Sequence, residues 1–84
     1  MKTITEIEQL IVNIIKDVCE INITDKDLNL LSDKAEITMA DFLYVFDELE
    51  KQLNLPVVSI LEHNDYTVFT VRNIASEIFK LQTN

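Results

Sequence analysis

Glycine is absent from this sequence, and its absence removes whole classes of chemistry. P-loops, dinucleotide-binding turns and nucleophile elbows all need glycine, because the backbone there must turn sharply or approach a ligand closely. Cys19 is the single cysteine, so neither an intrachain disulfide nor a thiolate zinc cluster can form. His63 is the single histidine, which removes the usual histidine-based metal sites and triads. Positive charge is scarce as well. Seven Lys and Arg stand against 15 Asp and Glu, a formal net charge of −8. Nucleic acid phosphates and anionic lipid surfaces should repel such a chain. The expected partner is therefore a basic protein surface, with no nucleic acid and no membrane. No apolar run approaches the roughly 20 residues of a membrane span. The opening Met1-Lys2-Thr3-Ile4-Thr5-Glu6 has acid and polar residues where a signal peptide needs an apolar stretch, so a cytoplasmic location is expected.

What is present is a foldable pattern. At 48% hydrophobic the 84 residues are too apolar for disorder, and the length fits one domain, residues 1–84. A chain this short buries only about 60–65% of its unfolded surface, so its core must be efficient. Ile4, Ile7, Ile11, Ile14 and Val18 recur at three- and four-residue steps, widened by Leu10 and Ile15, and predict an amphipathic helix from Thr3 to about Glu20. Thr3 with Glu6 and Thr5 with Glu8 offer two alternative capping boxes for its start. Cys19 beside this stripe reads as a small buried apolar residue. Residues 21–37 are rich in turn formers, with Leu28, Leu30 and Leu31 to pack a long loop onto the core, and Thr24 to Asp27 can cap a short turn.

A second helix starts at Thr38, a capping residue with Asp41 three positions on. Leu43, Phe46, Leu49 and Leu53 form its expected core stripe, helped by Ala40 and Leu55, with Phe42 and Val45 half exposed at the flanks. Pro56 ends it. Val57 to Glu62 suits either a strand or a short helix. The helix is preferred because no second strand is available to pair with it. A loop over Asn64 to Phe69 leads to Thr70, which caps a last helix with Val71, Ile74, Ala75, Ile78 and Leu81 inside and Phe79 at the edge. The expectation is an all-α four-helix bundle with a long first loop and a short third helix, most simply a monomer.

This order of elements resembles the acyl carrier and peptidyl carrier protein superfamily over nearly the whole chain. Residues 5–15, TEIEQLIVNII, are similar to the family's first helix, and Leu28 to Leu31 to the leucine-containing end of its long loop. Asp41 to Leu53, DFLYVFDELEKQL, resembles its second helix, and Leu55-Pro56 the hydrophobic-proline step that follows. Residues 60–63, ILEH, and 70–75, TVRNIA, are similar to the starts of the third and fourth helices of peptidyl carriers. The resemblance implies an acyl-carrier-like bundle. In carriers an Asp-Ser-Leu motif opens the second helix, and its serine receives a 4′-phosphopantetheine arm. Aligned on Leu49 and Leu53, this chain has Thr38-Met39-Ala40 there, so Met39 stands at the serine position and has no hydroxyl to modify. Among carrier relatives the chain most resembles the acyl carrier-related proteins of bacterial peptide-maturation (bacteriocin) systems.

That resemblance implies a non-catalytic docking or scaffold protein with no cofactor, binding a basic surface of a biosynthetic enzyme or a precursor peptide. The expected contact face is Met39, Phe42, Tyr44, Asp47, Glu48 and Lys51, since Met and aromatic residues among carboxylates characterise interfaces. The plainer alternatives are a solvated acidic face and, for Phe42, core packing. The competing functional reading is a working carrier phosphopantetheinylated on Thr38. Ser32 and Ser59 lie too far from the helix start. The oxygen-rich loop set Asp25, Asp27, Asn29, Asp33 and Glu36 lacks the glycine and terminal glutamate of a calcium loop, so a solvated loop is expected and no metal site. His63 with Asp65 lacks a nucleophile or second base, and no catalytic residue is expected.

Overall fold

The computed structural model describes residues 1–83. Its first element is α1, Ile4–Cys19, which opens on the first of the two capping boxes. Thr3 Oγ1 accepts from the Glu6 N–H at 3.2 Å, and the Glu6 carboxylate accepts from the Thr3 N–H at 2.9 Å. Glu8, the second capping option, is instead buried and paired with Lys26 at 3.0 Å. Ile7, Ile11, Ile14 and Ile15 are buried as their spacing requires, whereas Ile4 lies at the helix start and is 40% exposed.

The second helix, α2 (Met39–Leu53), is capped by Thr38, whose Oγ1 accepts from the Asp41 N–H at 3.1 Å. Its core stripe is a correction to the sequence reading. Phe42, Val45, Phe46 and Leu49 are buried, Leu53 is half-buried, Leu43 is 49% exposed and Ala40 is exposed. Both stripes contain Phe46 and Leu49, so periodicity alone leaves the rotation of the helix open by about 100°. The aromatic ring decides it. Phe42 packs 5.0 Å from Phe46 and edge-on, 5.2 Å, against Phe69, which precedes the last helix.

The short α3 (Ser59–His63) resolves the strand-or-helix ambiguity after Pro56 in favour of helix. Tight turns bring the chain into it: the Ser59 N–H donates to the Pro56 carbonyl and the Ile60 N–H to that of Val57, both at 3.0 Å. Residues 64–69 are more ordered than a plain loop, because Asp65 caps a 3-10 turn over Tyr66–Val68. Thr70 then caps α4 (Val71–Thr83), its Oγ1 accepting from the Asn73 N–H at 3.0 Å. Among the described residues there are four α-helices, two 3-10 turns and no strand. The fold is a small all-helical bundle.

α1 packs against both α4 and α2, and α3 against α4. Gln82 clasps Lys2 in both directions, accepting from its N–H at 3.2 Å and donating to its carbonyl at 2.8 Å, so the end of α4 meets the start of α1. The long connection between α1 and α2 is pinned to the far end of the bundle. The Leu30 N–H donates to the Phe69 carbonyl at 2.7 Å, the Arg72 N–H to the Lys26 carbonyl at 3.1 Å, and Arg72 Nε to Asp27 at 2.6 Å. Leu30 and Ile23 enter the core. The short turn in this loop is capped by Asp25, not Thr24: the Asp25 carboxylate accepts from the Asp27 N–H at 2.9 Å.

A chain without glycine must still close its helices. Glu20, Asn54 and Glu36 take left-handed backbone conformations at φ 58°, 54° and 57°, ending α1, α2 and the 3-10 turn over Asp33–Ala35. The Glu20 N–H donates to the Lys16 carbonyl at 3.0 Å and the Asn54 N–H to the Glu50 carbonyl at 2.8 Å. Asparagine tolerates this region, but glutamate sits there against its steric preference.

Candidate functional site

The cap at Thr38 and the Phe42 anchor together set which residues α2 presents outward. Met39 and Leu43 stand one turn apart on one flank, 57% and 49% exposed. Tyr44, also 57% exposed, and Glu48 lie about 140° and about 180° around the helix from Met39, on the flank that turns toward α1. Asp47 and Lys51 occupy the outermost surface between these flanks and pair at 3.0 Å. The carboxylate's hydrogen bond, then its charge, holds the Lys51 ammonium above the ordinary lysine range. Below Leu43, Glu50 accepts from the Val58 N–H at 2.8 Å and ties α2 to the entry of α3. Val58 is itself 40% exposed.

Of the six expected contact residues, Met39, Tyr44, Asp47 and Lys51 are exposed and Glu48 is half-buried. Phe42 is a correction. It is 3% exposed and belongs to the core, because its ring is clamped between Phe46 and Phe69. Leu43 replaces it on the surface, and sequence reasoning missed it by assigning it to the buried stripe. The surviving residues do not share one narrow patch: Met39 and Leu43 face one way and Tyr44 and Glu48 another.

The Thr38 hydroxyl oxygen is occupied as the α2 cap. Met39, in the first turn, presents a thioether and no hydroxyl. Thr38 is thus the one side-chain hydroxyl at this corner, and its oxygen already serves as the helix cap. The void among Ile11, Leu30, Phe42, Phe46 and Ile74 measures about 10 Å³, hardly one water.

The remaining chemistry-bearing residues lie away from this corner. Asp65 accepts from both the N–H and the hydroxyl of Thr67, which hold its carboxyl below the usual range, and Asp65 thus caps a turn. His63 is exposed. Cys19 is half-buried, with its thiol pushed up first by burial and then by the charge of Asp41, so it stays protonated. In the first loop Asp25 and Asn29 accept from nearby backbone N–H groups and Asp27 pairs with Arg72. No cluster of three or more His, Cys, Asp or Glu arranged for a metal exists among the described residues. No described helix is long and apolar enough to cross a membrane. Compared with protein-family models, with curated proteins and with solved structures, the chain gives no match.

Proposed function

We propose that this protein is a non-catalytic, acyl carrier-related docking subunit. It binds a basic surface of a biosynthetic enzyme, or a precursor peptide, through α2, within a peptide-maturation system. The observation that carries the reading is the outward pair Met39 and Leu43, one turn apart in a strongly acidic molecule. Apolar side chains on an exposed helix face, bordered by carboxylates, are the composition of a docking surface with a charged rim. Asp47 and Glu48 would steer a basic partner, and Met39 and Leu43 would supply the desolvated contact. The packed interior and the thioether at the carrier-serine position favour docking over cargo transport.

Two measurements test this. Incubation with a promiscuous phosphopantetheinyl transferase and coenzyme A should leave the intact mass unchanged. Gain of one phosphopantetheine would overturn the reading and make Thr38 the working residue of a carrier. In parallel, the wild-type chain and Leu43→Ser serve as baits in an extract of the source cells. A basic biosynthetic enzyme or precursor peptide should be retained by the wild type and lost with Leu43→Ser, while the variant keeps the helical circular dichroism of the folded wild type.

A further inference from the structure

α1 and α2 part on the side away from Met39 and leave an open groove of about 540 Å³, within the size range of ligand-holding clefts. Ile14 and Val18 of α1 give it an apolar floor, and Tyr44 of α2 stands exposed at its wall. Asp17, Asp41 and Glu48 line it. Among the described residues none of these three carboxylates is in an ion pair, and no Lys or Arg lines the groove. Lys51, the cation one step around α2, is already committed to Asp47. Cys19, at the end of α1, has its thiol pushed up first by burial and then by the charge of Asp41.

We propose that this groove is a second docking element, and that it receives an arginine side chain from a basic segment of the partner. The methylene stem would lie on Ile14 and Val18, the guanidinium plane against Tyr44, and the charge among Asp17, Asp41 and Glu48. Charge complementarity requires a cation, and the mixed lining selects arginine. Guanidinium is planar, weakly hydrated and able to stack on an aromatic ring, whereas ammonium keeps its water. The inference rests on α2 being the docking helix and adds a recognition site on its other flank.

The probe is a synthetic amphipathic peptide with arginines on one face and leucines on the other, beside the same peptide with neutral citrulline at each arginine. Amide chemical shifts should move at Ile14, Asp17, Val18, Tyr44 and Glu48 with the arginine peptide and not with citrulline. Asp17→Asn combined with Glu48→Gln should weaken binding about tenfold, the loss of one exposed and one half-buried charge contact. Asp33→Asn with Glu36→Gln removes the same charge from the first loop and should leave affinity unchanged. Equal binding of the citrulline peptide, or equal weakening by the loop variant, would overturn the groove. Shifts confined to Met39 and Leu43 would also overturn it while leaving the docking role of α2 intact. No binding at all would count against both.

Discussion

The rotation of α2 is the structural feature on which the proposed docking surface depends, and the pair Phe42→Ala and Leu43→Ala tests it directly. The two residues are adjacent and similar in hydrophobicity, but the fold treats them oppositely. Phe42 is 3% exposed and meets two aromatic rings, at 5.0 and 5.2 Å. Removing it deletes a full aromatic burial and leaves a cavity, a loss of about 3–5 kcal/mol. Leu43 is 49% exposed. Full burial of a leucine is worth about 1.5–3 kcal/mol, so its truncation should cost about 1 kcal/mol or less, partly offset by the better helix propensity of alanine. A domain of this size is stable by only about 4–13 kcal/mol, so the first change takes a large share of the total. Urea unfolding followed by far-ultraviolet circular dichroism should show the Phe42→Ala midpoint falling well below that of Leu43→Ala at similar slope. In thermal melts Phe42→Ala should lose at least about 12 °C. Equal losses, or a larger loss for Leu43→Ala, would mean that α2 is rotated by one residue and that the proposed docking flank is buried.

Phe46→Ala and Leu49→Ala, at 1% and 0% exposure, should each cost about 2–5 kcal/mol in the same unfolding experiment. Glu20→Gly should raise the melting temperature, because it relieves a left-handed glutamate at φ 58° worth about 1 kcal/mol; a fall would show that the Glu20 side chain contributes more than its backbone costs. Asp47→Lys breaks the exposed pair with Lys51 and should hardly move the melting temperature, yet slow association with a basic partner, most at low salt. Glu6 has its carboxyl held below the ordinary glutamate range by its hydrogen bonds to Thr3. A depressed carboxylate stabilises the fold above its unfolded value and loses that contribution as pH falls through the folded value. Glu6→Ala should therefore be less stable than the wild type near neutrality, with the gap closing on acidification through and below the carboxylate range; a gap independent of pH would refute the capping role.

Much of the architecture was legible because it is written in local terms. Three-and-four spacing of isoleucines predicts α1, and a threonine followed three residues later by an acid predicts the starts of α1 and α2. The threonine before Val71 predicts the start of α4. Proline after α2 predicts its end. The short third helix was also legible, by the absence of a strand to pair with it. Less was legible where two local options were equally good. Thr3-Glu6 and Thr5-Glu8 are both capping boxes, and only the burial of Glu8 against Lys26 selects the first. Leu43 and Phe42 both complete a stripe through Phe46 and Leu49, and the losing residue is the one that becomes surface.

The sequence by itself determined where the three long helices lie, the capping threonines of α2 and α4, the acidic balance and the lack of glycine-dependent motifs, because composition and periodicity act within a few residues. Only the tertiary structure decided which way α2 faces. That depends on Phe69, 27 positions beyond Phe42 in the chain (69 − 42), offering its ring to one side chain and not to its neighbour. Such a contact carries no local signature, yet it separates the core from the proposed docking surface and leaves Tyr44 exposed beside the groove.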